Sequence, residues 1–435
     1  MSVLYSFGIS LSENIIKQIL TLSRLAEFTI KHYVTLMVTL TNKKHYDVLI
    51  LGAGGAGLMC AAEAGKRGRS VLALDHARIV GKKILISGGG RCNFTNLNIE
   101  PERFLSGNKH FCKSAFSQYT QFDFIALVKK HGIKFHEKKL GQQFCDDAAQ
   151  QIVDMLLKEC ADASAQVQMN TTIEKVRKPN SGFEVQTSEG TYTAESLVVA
   201  TGGLSIPKIG ATSLGYDIAK QFDIPLTDTT PALVPFTFNN RDAEMFEGLS
   251  GIAFDAEVRC GKTSFRENVL LTHRGLSGPA ILQISSYWQP GEEIEIRLLP
   301  DVDWQAYLKQ KRHETPKQTL QTALAEKLPK RFVQRLAVQN AVPNKVMAET
   351  ADKEIHALNE MFEKFTFKPG GTEGYRKAEV TLGGVSTKAL DARTLEAKNT
   401  LGLFFIGEVV DVTGWLGGYN FQWAWSSGFA AGQVV

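Results

Sequence analysis

Residues 46–57 read Tyr-Asp-Val-Leu-Ile-Leu-Gly-Ala-Gly-Gly-Ala-Gly, a short apolar run followed directly by three glycines with the spacing G-x-G-x-x-G. The apolar run predicts a buried strand, and the residues after it predict a helix over 55–66. In this arrangement Gly52 permits a tight turn, Gly54 lets the backbone approach a pyrophosphate, and Gly57 allows the helix to pack on the strand. The stretch therefore predicts a Rossmann-type dinucleotide-binding unit.

A second strand and an acidic residue follow at the distance expected for such a unit. Residues 70–75 (Ser-Val-Leu-Ala-Leu-Asp) predict the strand, and Asp75 stands roughly 20 residues after Gly57. A carboxylate there can accept hydrogen bonds from an adenosine ribose, and its charge opposes a 2′-phosphate. This fingerprint alone does not separate NAD from FAD.

The composition is that of an ordinary globular protein and excludes several function classes. The chain has 435 residues, of which 43% are hydrophobic and 22% charged, so fibrous and mostly disordered proteins are excluded. At about 150 residues per domain, the length predicts about three structural units or one large fold with insertions. Lys and Arg number 49 against 45 Asp and Glu, and the net charge of +4 is too near neutral to indicate a polyanionic partner.

The cysteines and the apolar runs bear on metal sites and on location. None of the six cysteines forms a C-x-x-C pair, so no metal site is predicted and reduced thiols in a cytoplasmic protein are expected. Cys92 lies beside three glycines, where a packing role is favoured over a reactive thiol. No apolar run reaches the roughly 20 residues of a membrane span.

Three further glycine-rich segments favour FAD as the cofactor. In residues 81–96, three consecutive glycines beside Arg91 and Asn93 offer bare backbone and several donors to a planar polar ligand. Residues 200–203 (Ala-Thr-Gly-Gly), at the end of a predicted strand, resemble the turn that many FAD enzymes place under the cofactor.

The third segment combines a strand, two carboxylates and a helix near the end of the sequence. The predicted strand ends at Gly407 and Glu408, Asp411 follows, and a helix is predicted over 422–433 after Gly418. In two-dinucleotide-fold flavoproteins a carboxylate here contacts the ribityl hydroxyls. The helix N-terminus points at the flavin pyrimidine ring, where its dipole stabilises an anionic hydroquinone.

The candidate cofactor contacts lie in or beside these glycine-rich segments, with one addition from a predicted strand, Ile173. The full set is Gly52, Gly54, Ala56, Gly57, Asp75, Lys83, Ser87, Gly89, Arg91, Asn93, Ile173, Thr201, Gly202, Glu408, Asp411, Gly418, Asn420 and Phe421.

Four motifs together carry a resemblance to a known family: residues 81–96, 272–279 (Thr-His-Arg-Gly-Leu-Ser-Gly-Pro), 383–385 (Gly-Gly-Val) and 407–432. Over residues 45–435 the chain resembles the BaiN-like NAD(P)/FAD-dependent oxidoreductases, also called YhiN-like or aminoacetone-oxidase-like, a bacterial flavoprotein group. The resemblance implies an α/β fold with a Rossmann-type FAD-binding domain, split by a β-barrel insert that carries a small helical subdomain. It also implies tightly bound FAD and a small organic substrate, which it does not identify.

The pattern along the chain agrees with a split domain. Strand and helix alternate, then give way to short alternating runs and to polar helices, before glycine-punctuated α/β sequence returns. We expect an N-terminal extension over 1–44, the first part of the FAD-binding domain over 45–230, a β-rich insert over 231–302, a helical subdomain over 303–367 and the second part of the FAD-binding domain over 368–435.

Two interpretations of the N-terminal extension stay open. Residues 10–31 can form an amphipathic helix, with apolar side chains near one face. Alternatively, the protein starts at Met37, because a strand such as that at residue 46 usually opens its domain.

Candidates for catalysis are weaker than those for cofactor binding. His273 is a candidate acid–base group facing the flavin, and Tyr419 a candidate for the substrate side. Each has a structural alternative, since aromatic side chains here also suit a core. Ser277 as N-cap, with Pro279 in the first turn of a helix, would explain the segment around His273.

The function expected from these observations is FAD-dependent oxidoreduction. NAD(P)H would deliver hydride to flavin N5 and bind transiently, because the one dinucleotide fingerprint is assigned to FAD; an oxidase that uses O2 stays open. An alternative is a flavin-dependent RNA-interacting protein of tRNA-modification type, with the basic stretch 309–335 as its contact. The near-neutral charge argues against nucleic acid, and a non-turnover flavin redox sensor is a third class. The oligomeric state is left open.

Overall fold

The computed structural model describes residues 44–179 and 181–435. The predicted helix over 10–31 and the alternative start at Met37 lie outside these ranges. Within them, no helix is both long and apolar enough to cross a membrane.

The secondary structure alternates between short strands and helices. The strands are β1 Lys44–Leu51, β2 Val71–Leu74, β3 Asn93–Asn96, β4 Phe104–Leu105, β5 Phe135–Glu137, β6 Gln142–Cys145, β7 Gln166–Gln168, β8 Ile173–Arg177, β9 Phe183–Thr187, β10 Gly190–Val199, β11 Leu226–Ala232, β12 Phe236–Thr237, β13 Ala253–Cys260, β14 Thr263–Leu271, β15 Leu276–Ser277, β16 Ile294–Leu298, β17 Phe365–Phe367, β18 Gly371–Thr372, β19 Val380–Val385, β20 Leu403–Phe405 and β21 Thr413–Gly414. The α-helices are α1 Gly55–Lys66, α2 Lys82–Ile86, α3 Cys112–Gln118, α4 Gln121–Lys130, α5 Gln150–Asp162, α6 Leu214–Gln221, α7 Asn240–Met245, α8 Pro279–Ser285, α9 Trp304–Glu314, α10 Leu320–Ala325, α11 Lys330–Val338, α12 Asp352–Glu363 and α13 Tyr419–Gly432.

A seven-stranded sheet forms the centre of the nucleotide-binding fold. Its order is β7-β2-β1-β10-β9-β8, and β20 pairs with β10 beside β9. Strands β2 and β10 run parallel to β1, so that Leu51 lies opposite both Leu74 and Val199. Strand β20 is parallel to the last residues of β10. The carboxyl ends of these four strands therefore meet at one edge of the sheet.

The sequence interpretation of this region is confirmed by the structure. Helix α1 has the predicted bounds, and β1 begins two residues before the predicted strand. The last helix, α13, begins three residues earlier than expected, at Tyr419. It packs along α1 closely, because a Cβ on Gly428 would lie 2.5 Å from the carbonyl oxygen of Ala56. The sheet, α1 and α13 thus share one hydrophobic core.

That core joins sequence from both ends of the described chain. Its buried residues fall between 48 and 224 and between 385 and 435. A second cluster is built from residues between 236 and 367. The side chain of Trp415 packs against both clusters.

The second cluster is formed by a five-stranded sheet of order β15-β14-β13-β16-β17 and by α8 to α12. The resemblance implies a barrel in this region. Among the described residues, the hydrogen-bonded sheet has β15 and β17 as its two edge strands. Cys260 pairs with Thr263 across a turn at Gly261, which joins β13 to β14. The predicted N-cap is wrong: Ser277 belongs to β15, and Gly278, with φ of 91°, precedes α8.

Candidate functional site

A cavity of about 840 Å³ lies at the edge of the sheet where the parallel strands end. The residues that follow β1, β2, β10 and β20 line it: 52–56, 75–77, 200–203 and 406–408. In open α/β sheets ligands bind outside the carboxyl ends of the strands. The topology therefore places the candidate site where the glycine-rich turns are.

The three glycines of the first turn have different surroundings. A Cβ on Gly52 would lie 2.4 Å from the carbonyl oxygen of Ala200, and one on Gly57 would lie 2.0 Å from that of Gly52. A Cβ on Gly54, by contrast, would meet nothing within 4 Å. Gly52 thus lets the turn pass close to the end of β10, Gly57 lets α1 pack against the turn after β1, and Gly54 leaves open space at the cavity.

The N-terminus of α1 is free to take an anion from this space. Gly54 is its N-cap residue, with no side-chain hydrogen bond, and the first turn carries no acidic residue. The unpaired N–H groups and the helix dipole of such a terminus favour negative charge. A phosphate group therefore fits the turn.

Asp75 is held in place by the backbone at the end of β2. One carboxylate oxygen accepts a hydrogen bond from Ala53 N at 2.9 Å, and the other accepts one from Ala77 N at 2.8 Å. Each carboxylate oxygen has two lone pairs, so both oxygens keep acceptor capacity toward the cavity. This geometry suits hydroxyl groups of a ribose.

A second glycine turn forms another wall of the cavity. Gly88, Gly89 and Gly90 have φ of 56°, 68° and 86°, a left-handed conformation that glycine adopts at little cost. The hydroxyl of Ser87 donates to Ile84 O, so this side chain is already engaged.

Two buried polar atoms beside these turns have no hydrogen-bond partner in the part of the chain that the structure describes. They are Oδ1 of Asn93 and Oγ1 of Thr201, and both residues line the cavity. Such orphan groups are rare in native proteins and call for a partner. A planar polar ligand in the cavity would supply it.

Glu408 is fixed by three groups at the centre of the cavity. Its carboxylate forms a short ion pair with the Lys83 ammonium. It also accepts hydrogen bonds from Ser205 Oγ at 2.9 Å and Thr381 N at 3.0 Å. Gly203 lies against it, because a Cβ there would be 2.7 Å from Oε1 of Glu408.

The N-terminus of α13 closes another side of the cavity. Gly418, with φ of 95°, is its N-cap residue, and no acidic residue lies in the first turn. Asn420 lines the cavity, but its amide group bonds the backbone of Gly414 and Trp415. Phe421 also lines the cavity. The helix therefore offers its N–H groups to a ligand, while Asn420 shapes the preceding loop.

The cavity brings together most of the predicted cofactor contacts. These are Gly52, Gly54, Ala56, Asp75, Lys83, Ser87, Gly89, Asn93, Thr201, Gly202, Glu408, Gly418, Asn420 and Phe421. Four predicted contacts are not among its lining residues, namely Gly57, Arg91, Ile173 and Asp411.

Asp411 is directed away from the cavity by its own partners. It is buried, and one carboxylate oxygen accepts hydrogen bonds from Gly107 N at 2.9 Å and Thr227 Oγ1 at 3.0 Å. Burial raises the pKa of this carboxyl group. Ile173 is partly buried at the start of β8, and Arg91 is exposed. These side chains therefore do not join the candidate site.

The two candidate catalytic residues also lie outside the cavity lining. His273 is exposed in the turn after β14. Tyr419 is buried, and its hydroxyl accepts a hydrogen bond from Arg103 at 2.7 Å. The burial of Tyr419 favours its structural alternative, packing in the core.

The sequence interpretation missed Glu379, which lines the cavity just before β19. Its carboxyl group has no hydrogen-bond or ion-pair partner among the described residues, although its backbone N–H donates to Leu233 O at 3.2 Å. Thr381, two residues on, is buried; its N–H donates to Glu408, and its hydroxyl accepts a hydrogen bond from Leu204 N. The side chain of Glu379 is exposed to the open cavity, but desolvation by the surrounding protein raises the pKa of its carboxyl group, and the positive charge of Lys83 acts in the opposite direction.

A group from the hairpin β5–β6 and from β14 was also missed. Lys139, Gln142, Glu267 and Asn268 line the cavity, and the Lys139 ammonium forms a short ion pair with Glu267. These residues are far apart in sequence, and each looks like an ordinary polar strand or turn residue. No sequence signal distinguishes them.

The cysteines do not supply a nucleophile. All six are buried and free. Burial raises the pKa of the Cys92 thiol to about 12, with a hydrogen bond involving Ser87 acting against it. The thiolate, which is the reactive form, is therefore strongly disfavoured, in agreement with a packing role.

Comparison with known sequences identifies the family. The profile described as "HI0933-like protein Rossmann domain" matches residues 46–434. The chain belongs to this family. The predicted resemblance to YhiN-like and BaiN-like flavoprotein oxidoreductases is thereby confirmed, as is the Rossmann-type fold.

The chain matches two relatives with assigned activities over nearly their whole length. The chain is 52% identical over 391 residues to "Ribosomal RNA dihydrouridine synthase" of Escherichia coli (strain K12), which covers 90% of this chain and 98% of the relative. It is 26% identical over 406 residues to "3-dehydro-bile acid delta(4,6)-reductase" of Clostridium scindens, covering 89% of this chain and 98% of that protein.

Among solved structures, the chain is similar to a 3-ketosteroid-delta4-(5alpha)-dehydrogenase from Rhodococcus jostii RHA1. The TM-score is 0.49 at 15% identity, over 91% of this chain and 98% of that chain.

Proposed function

We propose that this protein is a FAD-dependent reductase of uridine in ribosomal RNA. The observation that carries the proposal is the 52% identity to a protein named ribosomal RNA dihydrouridine synthase, over 98% of that protein. The proposal takes up the RNA alternative from the sequence and departs from the expectation that the chain has no nucleic-acid partner. That expectation rested on net charge, which averages over the whole chain and does not describe one face.

The cavity supports FAD as the resident cofactor. The open space at Gly54 and the uncapped N-terminus of α1 suit a pyrophosphate. Asp75 has acceptors for the adenosine ribose, and Glu408 has them for the ribityl chain. The orphan atoms of Asn93 and Thr201 suit polar edges of the cofactor. We propose NAD(P)H as the transient source of electrons, and the flavin, once bound and reduced by it, would supply the hydride for reduction.

The reaction needs a proton as well as a hydride. Reduction of the uracil double bond forms one C–H bond at C6 from the hydride and one at C5 from a proton. Glu379 is proposed as the proton donor: its O–H bond breaks, the C5–H bond forms, and a carboxylate remains. It lines the cavity without a hydrogen-bond partner for its carboxyl group among the described residues, and desolvation by the protein around the cavity favours its neutral form.

A direct experiment tests the proposal. Purified protein with FAD is reduced anaerobically by NADPH or NADH, and bleaching of the flavin spectrum is followed. Unmodified Escherichia coli ribosomal RNA transcripts are then added, and nucleosides are analysed by mass spectrometry for dihydrouridine. We expect flavin reoxidation to coincide with dihydrouridine formation at a defined position.

One control variant and one contrary outcome complete the test of the proposed function. Gly54→Val protein, which we expect to lack FAD, should form no dihydrouridine. A wild-type flavoprotein that is bleached by NAD(P)H but leaves every uridine unreduced would refute the RNA substrate. A small organic acceptor, as in the 26% identical bile-acid reductase, would then be the next to test.

A further inference from the structure

The tip of the hairpin between β5 and β6 holds a leucine in the solvent beside the cavity. Lys138, Lys139 and Gln142 of this hairpin line the cavity. The side chain of Leu140 between them is 59% exposed, one of few large apolar side chains exposed in the described part of the chain. A mostly exposed apolar side chain therefore stands between residues that line the cavity.

The backbone holds Leu140 in an unfavourable conformation. Its φ of 51° lies in the left-handed region, which a leucine rarely adopts and glycine adopts freely. The tip is fixed around it: the amides of Asn96 and Asn98 donate to Leu140 O at 3.1 Å and 3.3 Å, and Gly141 N donates to Glu137 at 3.0 Å. Strained residues that the surrounding structure holds in place cluster at functional sites.

Five cations that are exposed or partly exposed lie on the walls of the cavity or beside its lining residues. Lys82 and Lys138 line the cavity, and Lys208 lies between lining residues of one loop. Arg376 and Lys377 stand three and two residues before Glu379 in the sequence. Across residues 44–179 and 181–435, no carboxylate forms an ion pair with any of these five. Their charge is therefore available to an outside anion.

The basic stretch 309–335 is different. Lys311 pairs with Glu326, and Arg312 pairs with Asp352. Arg331 and Arg335 donate to backbone carbonyl oxygens of the segment 244–250. Lys311 and Arg312 are thus neutralised by carboxylates, and Arg331 and Arg335 are held against the backbone, so part of this stretch is not available to RNA.

We propose that the hairpin tip and these unpaired cations form the RNA-contacting face, with Leu140 entering the base stack in place of the uracil that moves into the cavity. The inference rests on the proposed function. A stacked base must leave the helix before a cofactor can reach its ring. Apolar side chains inserted between bases achieve this in other proteins, and lysine and arginine bind the phosphates.

Substitution of Leu140 tests the wedge. Leu140→Gly removes the side chain and relieves the left-handed strain, so the protein should fold at least as stably. Leu140→Ala keeps a Cβ, and Leu401→Ala is the matched control, since Leu401 is 80% exposed elsewhere. The holoenzymes are titrated with unmodified Escherichia coli ribosomal RNA transcripts and with single-stranded oligouridine, and binding is measured without NAD(P)H.

A wedge predicts unequal effects on the two RNAs. Both Leu140 variants should bind folded ribosomal RNA at least about tenfold more weakly than wild type, and they should form dihydrouridine in it at least about tenfold more slowly. A loss of this size corresponds to one well-placed contact. Oligouridine, which has little stacking to break, should be affected less. Equal effects on both RNAs, or unchanged values on folded RNA, would overturn the wedge.

Salt dependence tests the cations. Lys138→Gln and Lys377→Gln should each lower the slope of log K against log [salt] by up to about one, because each phosphate contact releases counterions. Lys317→Gln, in the basic helical stretch, should leave the slope unchanged. The reverse pattern would place the RNA on the helices. If wild type neither binds RNA nor reduces uridine, the proposed function itself fails; if it does both and the variants match it, only this surface is refuted.

Discussion

Two glycines of one motif should respond in opposite ways to added side chains. Gly54 has φ of −83° and ψ of −170°, an extended conformation that valine favours. A Cβ there meets nothing within 4 Å, whereas a Cβ on Gly57 would lie 2.0 Å from the Gly52 carbonyl oxygen. A side chain on Gly54 fills space proposed for the cofactor, whereas a side chain on Gly57 forces helix α1 away from β1.

The expected magnitudes follow from this geometry. Gly54→Val should change the free energy of unfolding of the apo-protein by less than about 1 kcal/mol, and toward higher stability, because it restricts the unfolded chain. Gly57→Ala should cost about 3 kcal/mol, the upper end of the range for overpacking, because the clash is with backbone. Flavin content should fall strongly in Gly54→Val, since the side chain blocks the approach of the pyrophosphate.

The assay combines urea unfolding of the flavin-free proteins with flavin-to-protein ratios from absorbance after reconstitution. Gly54→Val should unfold at the wild-type midpoint or above it and remain colourless, so each variant serves as the control for the other. A folded Gly54→Val protein with wild-type flavin content would refute the placement of the cofactor. Unchanged stability in Gly57→Ala would refute the packing argument.

Three more outcomes can be measured. If Glu379 donates the proton, the rate of dihydrouridine formation should fall as pH rises through the raised pKa of this carboxyl group, because the neutral form is the donor. The Glu379→Gln protein should form no product but should keep its flavin content and be bleached by NAD(P)H. Burial raises the pKa of Glu159, but hydrogen bonds from Lys130, Lys66 and His131 hold it at about 2. Glu159→Gln should therefore cost about 1–3 kcal/mol near neutral pH, a difference in urea-unfolding free energy that disappears as pH falls from about 4.5 to about 2. Thiol reagents should label Cys92 only on unfolding, as mass spectrometry would detect; labelling of the native protein would contradict its burial.

The fold could be predicted from local sequence patterns because the Rossmann unit is built from residues that are neighbours in the sequence. The apolar strand, the glycine turn and the helix lie together in residues 46–66, and their steric requirements can be stated from the sequence alone. The structure reproduces them because Gly52 and Gly57 have no room for a side chain.

The choice between nearby carboxylates could not be made in this way. Glu408 and Asp411 are three residues apart, and both follow a predicted strand. A short 3₁₀ turn at Gly407–Val409 leaves Glu408 facing the cavity, while Asp411 bonds Gly107 and Thr227. The direction of each side chain depends on β11 and on the loop at residue 107, which lie far away in the sequence.

Residues that face the proposed substrate were missed for a related reason. Glu379 precedes β19, and Lys139 and Glu267 come from different sheets. Each is an ordinary polar residue of its own strand or turn, and only tertiary packing brings them to one cavity. The opposite error occurred for Ser277, because a serine before a proline suggests a helix cap whereas Gly278 takes that position.

The long sequence separation between α1 and α13 affects how the protein matures during synthesis. Helix α13 covers α1, and the indole of Trp425 lies against Gly55, where a Cβ would be 2.6 Å from its ring. The same indole donates to Phe94 O at 2.8 Å. Until residues 419–432 leave the ribosome, the glycine turn at residues 52–57 lacks this support, and the cavity lacks the wall that α13 forms. Cofactor loading therefore belongs to the completed chain, and a protein stalled or truncated before Tyr419 would expose the apolar face of α1 to chaperones and proteases.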